Sequence, residues 1–158
     1  AIRVLILDRL FEWTVLAQRS HQKVARVESA KKIDALSRAL IGGLRHRDLT
    51  PWDVQACSYA TCDSLAVTLR TYLADPSTAR SIRLANAKRA GERHGLTASD
   101  VDECAKRYED RAAGTGARRR VLQRAIEEAA TSIVARLTNC DEATVRSVLS
   151  RQLKGREQ

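Results

Sequence analysis

Aromatic side chains are scarce in this chain of 158 residues, where they make up 4% of the total. The six aromatic residues are Phe11, Trp13, Trp52, Tyr59, Tyr72 and Tyr108. Most of them fall within apolar helix patterns, so we expect them in a core. A protein that binds single-stranded nucleic acid by stacking its bases needs exposed aromatic rings among its basic residues. The scarcity of such rings therefore argues against base stacking.

Cysteine and histidine are few and scattered, which argues against a metal centre. The cysteines are Cys57, Cys62, Cys104 and Cys140, and the histidines are His21, His46 and His94. No Cys-x-x-Cys pair occurs, whereas a zinc site needs four ligands that converge. We therefore expect buried free thiols, no metal and no cofactor. No clustered Ser–His–Asp, Cys–His or carboxylate pair supports catalysis either, so the sequence predicts a protein that is not an enzyme.

Long apolar runs and alternating strand patterns are also missing. Charged residues such as Arg3, Asp8 and Glu12 interrupt the apolar N-terminal segment, so it cannot span a bilayer. No signal peptide is visible, and a reducing cytoplasmic setting is the expected default. The sequence predicts an all-α fold, a compact bundle of about seven helices without a sheet. We expect a single domain over residues 1–158, with the glycine turn at 114–116 as a candidate point of subdivision.

Basic residues, in contrast, are abundant and spread along the chain. Lysine and arginine total 28 against 19 aspartates and glutamates, which gives a net charge of +9. The excess is +5 in residues 1–50, +1 in residues 51–100 and +3 in residues 101–158. No part of the chain is therefore a detachable basic tail. A folded basic surface that follows a polyanion fits this distribution.

Residues 75–95 form the strongest candidate for such a surface. We predict a helix with Asp75 as its cap and Pro76 at its first position. It carries the basic residues Arg80, Arg83, Lys88, Arg89 and Arg93. At about 100° per residue the first three share one broad face, and the last two lie nearly opposite. A helix this polar on all sides lies in solvent or against a highly charged partner, and we predict that the partner is a nucleic-acid backbone, DNA or RNA.

A second candidate phosphate site follows the glycine turn at 114–116. Arg118, Arg119 and Arg120 come directly after it, at the start of a predicted helix that runs to Asn139. Backbone N–H groups and the dipole at a helix start favour a phosphate, and arginine adds forked donors. The alternative is a flexible loop followed by a solvated arginine run. The spacing is not that of a P-loop, which ends in Gly-Lys-Ser or Gly-Lys-Thr.

The remaining helices are predicted mainly from apolar spacing. Residues 2–27 carry two adjoining apolar stripes, which indicate a helix buried on a wide front or one that also meets a second subunit. Residues 29–47 are predicted to continue as helix. Thr50-Pro51-Trp52-Asp53 has the features of a helix start. The helix that follows is predicted to be central to the core and to bury Val54, Cys57, Thr61, Leu65, Leu69 and Tyr72.

Local signals also mark the next helix start. Thr97 is predicted to cap a helix, with Asp100 three residues later completing a capping box. Val101, Cys104, Tyr108 and Ala112 are expected to form the buried edge of that helix.

Residues 133–150 resemble the helix-turn-helix of LacI-type repressors. The shared pattern is Val134-Ala135-Arg136-Leu137, then Ala143-Thr144-Val145, then Val148-Leu149. Asn139 stands at the turn position that usually holds glycine, and asparagine tolerates the left-handed conformation. The resemblance implies that Thr144, Arg146 and Ser147 lie near DNA. The alternative is an ordinary helix hairpin. Asp141 and Glu142 count against DNA binding, because they would place carboxylates against the phosphates.

In size, helical character, basic charge and lack of catalytic motifs the chain is similar to the small subunit of multisubunit CRISPR–Cas effector complexes. That resemblance implies a role in a nucleoprotein assembly, with contacts to the nucleic-acid backbone and to other protein subunits or further copies of itself.

Three hypotheses of function follow from the sequence. The first is a non-catalytic subunit of a nucleoprotein complex that binds phosphates. The second is a dimeric helix-turn-helix regulator that prefers a palindromic DNA site. The third is a helical adaptor whose basic faces meet acidic protein, and such an adaptor would not be retained on heparin or DNA at moderate salt.

Overall fold

The structure, a computed structural model, describes residues 2–19, 30, 33, 51–114 and 118–154. These residues form six helices: α1 (Ile2–Arg19), α2 (Pro51–Leu73), α3 (Arg80–Arg93), α4 (Ala98–Ala112), α5 (Arg118–Thr138) and α6 (Glu142–Lys154). No strand occurs among them, and the predicted all-α class is confirmed. The helix predicted over residues 29–47 lies outside the described residues apart from positions 30 and 33, which are helical. None of the described helices has the length and apolar character needed to cross a membrane.

The chain divides into two compact units. Unit 1 comprises Ala1–Ala60 and Val134–Gln158, and unit 2 comprises Thr61–Ile133. The division runs through α2 and α5 and does not fall at the glycine turn 114–116. The single domain expected over residues 1–158 stays a prediction.

Helix α2 begins at Pro51, where the sequence signal placed it, and carries much of the core. All six residues predicted to be inward are buried: Val54, Cys57, Thr61, Leu65, Leu69 and Tyr72. Small residues that include Ala56, Ala60 and Ser64 are buried as well. A helix buried on this many sides needs small side chains, because they let neighbouring segments approach its backbone closely.

Helix α1 exposes part of its apolar surface. Leu7 and Phe11 are separated by one turn and are 48% and 71% exposed. This pair leaves part of the apolar surface of α1 exposed. That the helix is buried on a wide front or meets a second subunit stays a prediction. Residues 20–27 of the predicted helix lie outside the described part of the chain.

The helix predicted to begin at Pro76, with Asp75 as its cap, begins four residues later, at Arg80, so that boundary was wrong. The Asp75 carboxylate instead accepts hydrogen bonds from the Ser77 backbone N–H at 3.1 Å and from the hydroxyls of Ser77 and Thr78 at 2.6 and 2.5 Å. These bonds hold a tight turn, and they lower the pKa of Asp75. Aspartate side chains that bond nearby backbone and hydroxyl groups favour a turn over a continuing helix.

Helix α3 ends in a motif that needs glycine. Gly95 has φ of 78°, in the left-handed region. The N–H of Leu96 donates to the carbonyl of Gly91 at 2.9 Å, and the N–H of Gly95 donates to that of Glu92 at 3.1 Å. This Schellman arrangement satisfies carbonyl groups at the end of the helix and turns the chain sharply toward α4.

The predicted capping box at the start of α4 is confirmed. The backbone N–H of Asp100 donates to the Thr97 hydroxyl at 3.2 Å, and the backbone N–H of Thr97 donates to the Asp100 carboxylate at 3.1 Å. Val101, Cys104 and Tyr108 are buried as expected, whereas Ala112 is exposed.

Helices α3 and α4 approach each other most closely at Gly91. This glycine is buried, and a Cβ placed on it would lie 2.6 Å from Cγ2 of Val101, whose side chain is itself fully enclosed. The same Cβ would lie 3.5 Å from Leu96 Cβ and 3.6 Å from Thr68 Oγ1. Gly91 therefore lets α3 pack against its neighbours within unit 2.

We predict that Gly91→Ala destabilises the protein. The added methyl overlaps Val101, and overpacking of this kind costs about 1–3 kcal/mol. Replacing glycine inside a helix offsets about 1 kcal/mol of that loss. Urea unfolding followed by circular dichroism measures the free energy of unfolding.

The exposed change Asn86→Ala on the same helix serves as the control and should stay within about 0.5 kcal/mol of the parent. Adding Val101→Ala to Gly91→Ala should cost less than the two single changes together, since the overlap is then relieved. Unchanged or raised stability of Gly91→Ala would contradict the close approach.

Candidate nucleic-acid interface

Arg80 is paired with a carboxylate of the neighbouring helix. Its Nε lies 2.8 Å from Glu109 Oε1 and its Nη2 lies 2.9 Å from Glu109 Oε2, a two-pronged ion pair. The hydroxyl of Tyr72 donates a third hydrogen bond to Glu109. The contact with Arg80 is the main reason that the pKa of Glu109 lies below its ordinary value of 4.5. Arg80 thus joins α3 to α4.

Arg83 is packed against an aromatic ring. Its guanidinium carbon lies 4.8 Å from the centre of the Tyr72 ring, a cation–π distance. Its Nε is buried and has no hydrogen-bond partner. The pKa of Tyr72 is raised mainly by burial and then by the bond to Glu109. Arg83 therefore covers the core ring of α2 and is only half-exposed.

Lys88 completes the inward face of α3. Its Nζ lies 2.9 Å from Oδ2 of Asp102 on α4, and the lysine side chain is 31% exposed. Sequence spacing had grouped Arg80, Arg83 and Lys88 on one face, and the structure turns that face toward α2 and α4. Of the five basic residues predicted on α3, these three already have partners inside unit 2.

The opposite face of α3 is different. Arg89 and Arg93 are exposed, and neither has a carboxylate partner among the described residues. They are separated by one helical turn, so their like charges face each other on the surface. These two are the residues of α3 that are available to an external anion.

The first turn of α5 holds the second set of available cations. Arg118, Arg119 and Arg120 are all exposed, and the turn contains no acidic residue. Within the described part of the chain, none of the three forms an ion pair. Residues 115–117, most of the predicted glycine turn, lie outside the described residues.

The acidic residues of α4 and α5 are engaged elsewhere. Glu128 on α5 forms an ion pair with Arg111 and lies 3.7 Å from Arg107 Nη1. Arg107 Nη2 lies 2.6 Å from Glu103 one turn earlier on α4. This network links α4 to α5. Glu128 is therefore paired with arginines of α4 and not with Arg118–Arg120.

Sequence reasoning missed three exposed cations of unit 2. Arg70, Lys106 and Arg124 have no carboxylate partner among the residues the structure describes. Arg124 follows Arg120 by four residues, and that spacing could have found it, since it places the two side chains together on α5. Arg70 lies in the last turn of α2, where a cation also suits the helix dipole. Nothing in the spacing of Lys106 singles it out.

The helix-turn-helix candidate has its turn as predicted. Asn139 has φ of 52°, in the left-handed region, and Val145 is fully buried. Asp141 caps α6, because the Thr144 N–H donates to its carboxylate at 2.7 Å, and this bond lowers the pKa of Asp141. Thr144, Arg146 and Ser147 are exposed, and Arg146 Nη2 lies 3.5 Å from a Glu142 carboxylate oxygen.

The cysteines of the chain form neither a disulfide nor a metal cluster within the described ranges. All four cysteines are free; Cys57 and Cys104 are buried, and Cys62 and Cys140 are half-buried. Burial raises the pKa of the Cys104 thiol to about 12. Over these ranges no three His, Cys, Asp or Glu side chains come together in a way that could hold a metal ion.

Comparison of the chain with protein-family models, curated proteins and solved structures yields no match. The candidate interface therefore rests on the geometry and charge of its own residues.

We predict that Glu109→Gln lowers stability in a pH-dependent way. The carboxylate has a depressed pKa in the folded protein, so its contribution is present above about pH 4.5 and is lost as the pH falls through the folded value. Urea unfolding should show the variant less stable than the parent near neutral pH, with the two curves converging once the pH has fallen below the lowered pKa of Glu109 in the folded protein.

Asp110→Asn removes the same charge from the next residue, which is exposed, and should leave the pH profile of stability unchanged. A constant difference between parent and Glu109→Gln at every pH would contradict a role for the ionised carboxylate.

Proposed function

We propose that this chain is a non-catalytic protein that binds nucleic acid through the phosphate backbone, as an accessory subunit of a nucleoprotein assembly. The observation that carries the proposal is the cluster Arg118–Arg120, three exposed arginines without a carboxylate partner among the described residues. A guanidinium fork matches two phosphate oxygens, which a lysine ammonium cannot do.

Arg89 and Arg93 are proposed as the second group of phosphate contacts. They lie in the same unit as Arg118–Arg120, and they too are exposed and unpaired within the described ranges. Arg80, Arg83 and Lys88 belong to the original prediction, but their contacts with Glu109, Tyr72 and Asp102 support a structural role. The proposed surface is therefore smaller than the charge of α3 alone indicates.

The balance of charge on the surface of unit 2 also supports a polyanion as partner. Eight exposed cations have no carboxylate partner among the described residues: Arg70, Arg89, Arg93, Lys106, Arg118, Arg119, Arg120 and Arg124. Of the ten carboxylates of unit 2, four are already ion-paired, namely Asp102, Glu103, Glu109 and Glu128. Of the other six, three are exposed: Asp75, Glu92 and Asp110. Such a surface attracts phosphates and binds them less well as salt rises.

We predict that Arg118→Gln/Arg119→Gln/Arg120→Gln weakens binding to nucleic acid and makes that binding less dependent on salt concentration. If about six phosphates are contacted, log affinity falls against log salt with a slope of about −5 on duplex or about −4 on single strands. Loss of three contacts should reduce the magnitude of that slope by about two to three. Fluorescence anisotropy with labelled nucleic acid over a salt series measures both quantities.

Arg146→Gln is the control, because Arg146 lies in unit 1, outside the proposed surface. Circular dichroism checks that the triple variant keeps its helices. A parent slope near zero, or a triple variant with the parent slope, would contradict the proposal. Retention of neither nucleic acid nor heparin would favour the helical adaptor.

A second candidate is a helix-turn-helix regulator that uses α6. The left-handed Asn139 and the buried Val145 favour it, since both belong to the resemblance to LacI-type repressors. Against it, Asp141 and Glu142 open α6 with two carboxylates, and Glu142 already pairs with Arg146.

On the second candidate, Thr144→Ala and Arg146→Ala should each cost about 1–3 kcal/mol of binding to one palindromic site. Selection of preferred sequences from a random duplex pool measures this preference. Absence of any enriched sequence, with binding retained, would contradict the regulator and agree with phosphate contacts.

A further inference from the structure

We infer that the nucleic acid bound by unit 2 is a double helix, held by its phosphates without regard to base sequence. This inference rests on the proposed function and deepens it, because it names the class of partner. Three features of unit 2 carry it: the lack of a stacking surface, the scarcity of exposed side-chain amides that could read bases, and the placing of the free arginines on helices.

Unit 2 offers no exposed ring for a base to stack on. Its two aromatic residues, Tyr72 and Tyr108, are 2% and 8% exposed. The guanidinium of Arg83 lies over the ring of Tyr72, so this face is occupied as well. Proteins that hold single strands without sequence preference combine a basic groove with such stacking platforms. Unit 2 has the cations and lacks the platform.

The outward face of α3 has little with which to read base edges. Asn86 is the one side-chain amide of this helix, and the exposed Ile82 and Ala85 beside it carry no hydrogen-bonding groups. On α5 the first turn presents arginines, and the amide of Gln123 already donates to Glu127 at 3.0 Å. Contacts to phosphate fix position without carrying sequence information, whereas an arginine that reaches a guanine edge does carry it. The inference of sequence-independent binding therefore requires that these arginines contact phosphates.

The free arginines are held at regular spacing on helices. Arg89 and Arg93 are one turn apart on α3, and Arg120 and Arg124 are one turn apart on α5. Each pair repels itself until an anion lies between or beside its members. A duplex carries one negative charge per about 1.7 Å of axis, twice the density of one strand, and its phosphates are already in place. A flexible strand would have to be ordered on the surface, which weakens its binding.

The test compares probes of one length and sequence: a DNA duplex, an RNA duplex and the separated DNA strand. Anisotropy titrations with the full chain at fixed salt should show at least one duplex bound about tenfold or more tightly than the single strand. Two duplexes of scrambled sequence should differ by less than about threefold.

Three outcomes overturn different parts of the argument. Equal affinity for strand and duplex, or preference for the strand, overturns the inference that the partner is a double helix. A strong preference between the scrambled sequences overturns the inference that only phosphates are recognised. Binding to none of the probes overturns the proposed function itself.

Variants of the arginine pairs sharpen the test. Arg89→Gln/Arg93→Gln and Arg120→Gln/Arg124→Gln should each weaken duplex binding by about tenfold and bring it closer to single-strand binding. Glu92→Gln removes the sole acidic residue of α3 and should strengthen duplex binding. All five residues are exposed, so helical content should not change. Duplex affinity unchanged in all three variants would overturn the inference.

Discussion

The carboxylate of Glu109 is the group on which the arrangement of unit 2 depends. It accepts both prongs of Arg80 from α3 and the hydroxyl of Tyr72 from α2, so three helices meet at one side chain. Glu109 is charged at neutral pH, the contact with Arg80 lowers its pKa, and the buried Tyr72 lies on one side of it. Ala87 and Gly91, the buried residues of α3, follow Arg80 by about two and three helical turns, so this junction lies on the same side of the helix as its buried contacts.

The location of the proposed phosphate-binding surface follows from that orientation. With Arg80, Arg83 and Lys88 turned toward carboxylates and an aromatic ring, the cations that remain outside are Arg89 and Arg93. On α4 and α5, Arg107 and Arg111 are likewise paired with Glu128, whereas Arg118–Arg120 form no ion pair among the described residues. The net charge of the chain therefore does not show how many cations are available to the proposed polyanion. The pattern of ion pairs determines where those cations lie.

Local signals in the sequence predicted their structures well. The spacing of Val54 through Tyr72 predicted the buried face of α2, the pair Thr97 and Asp100 predicted the start of α4, and Asn139 predicted a left-handed turn. Each of these depends on residues within one or two helical turns. The start of α3 failed because Asp75 can bond either a helix start or a turn, and Ser77 and Thr78 favour the turn.

The role of each arginine depended on distant partners. Arg80 and Glu109 are 29 residues apart, and Tyr72 and Glu109 are 37 apart, so no local pattern shows that they meet. Sequence spacing did separate Arg80, Arg83 and Lys88 from Arg89 and Arg93. Sequence spacing did not show which of these two faces lies toward the core. The direction of the core distinguishes the paired face from the free one.

The burial of Cys104 has a consequence for the chemistry of the folded chain. With a thiol pKa of about 12, it carries almost no thiolate at neutral pH, and the residues packed against α4 leave its side chain buried. Oxidants and alkylating reagents therefore reach it when α4 separates from its neighbours. We expect the rate at which this cysteine is modified to follow the opening of the packing around α4.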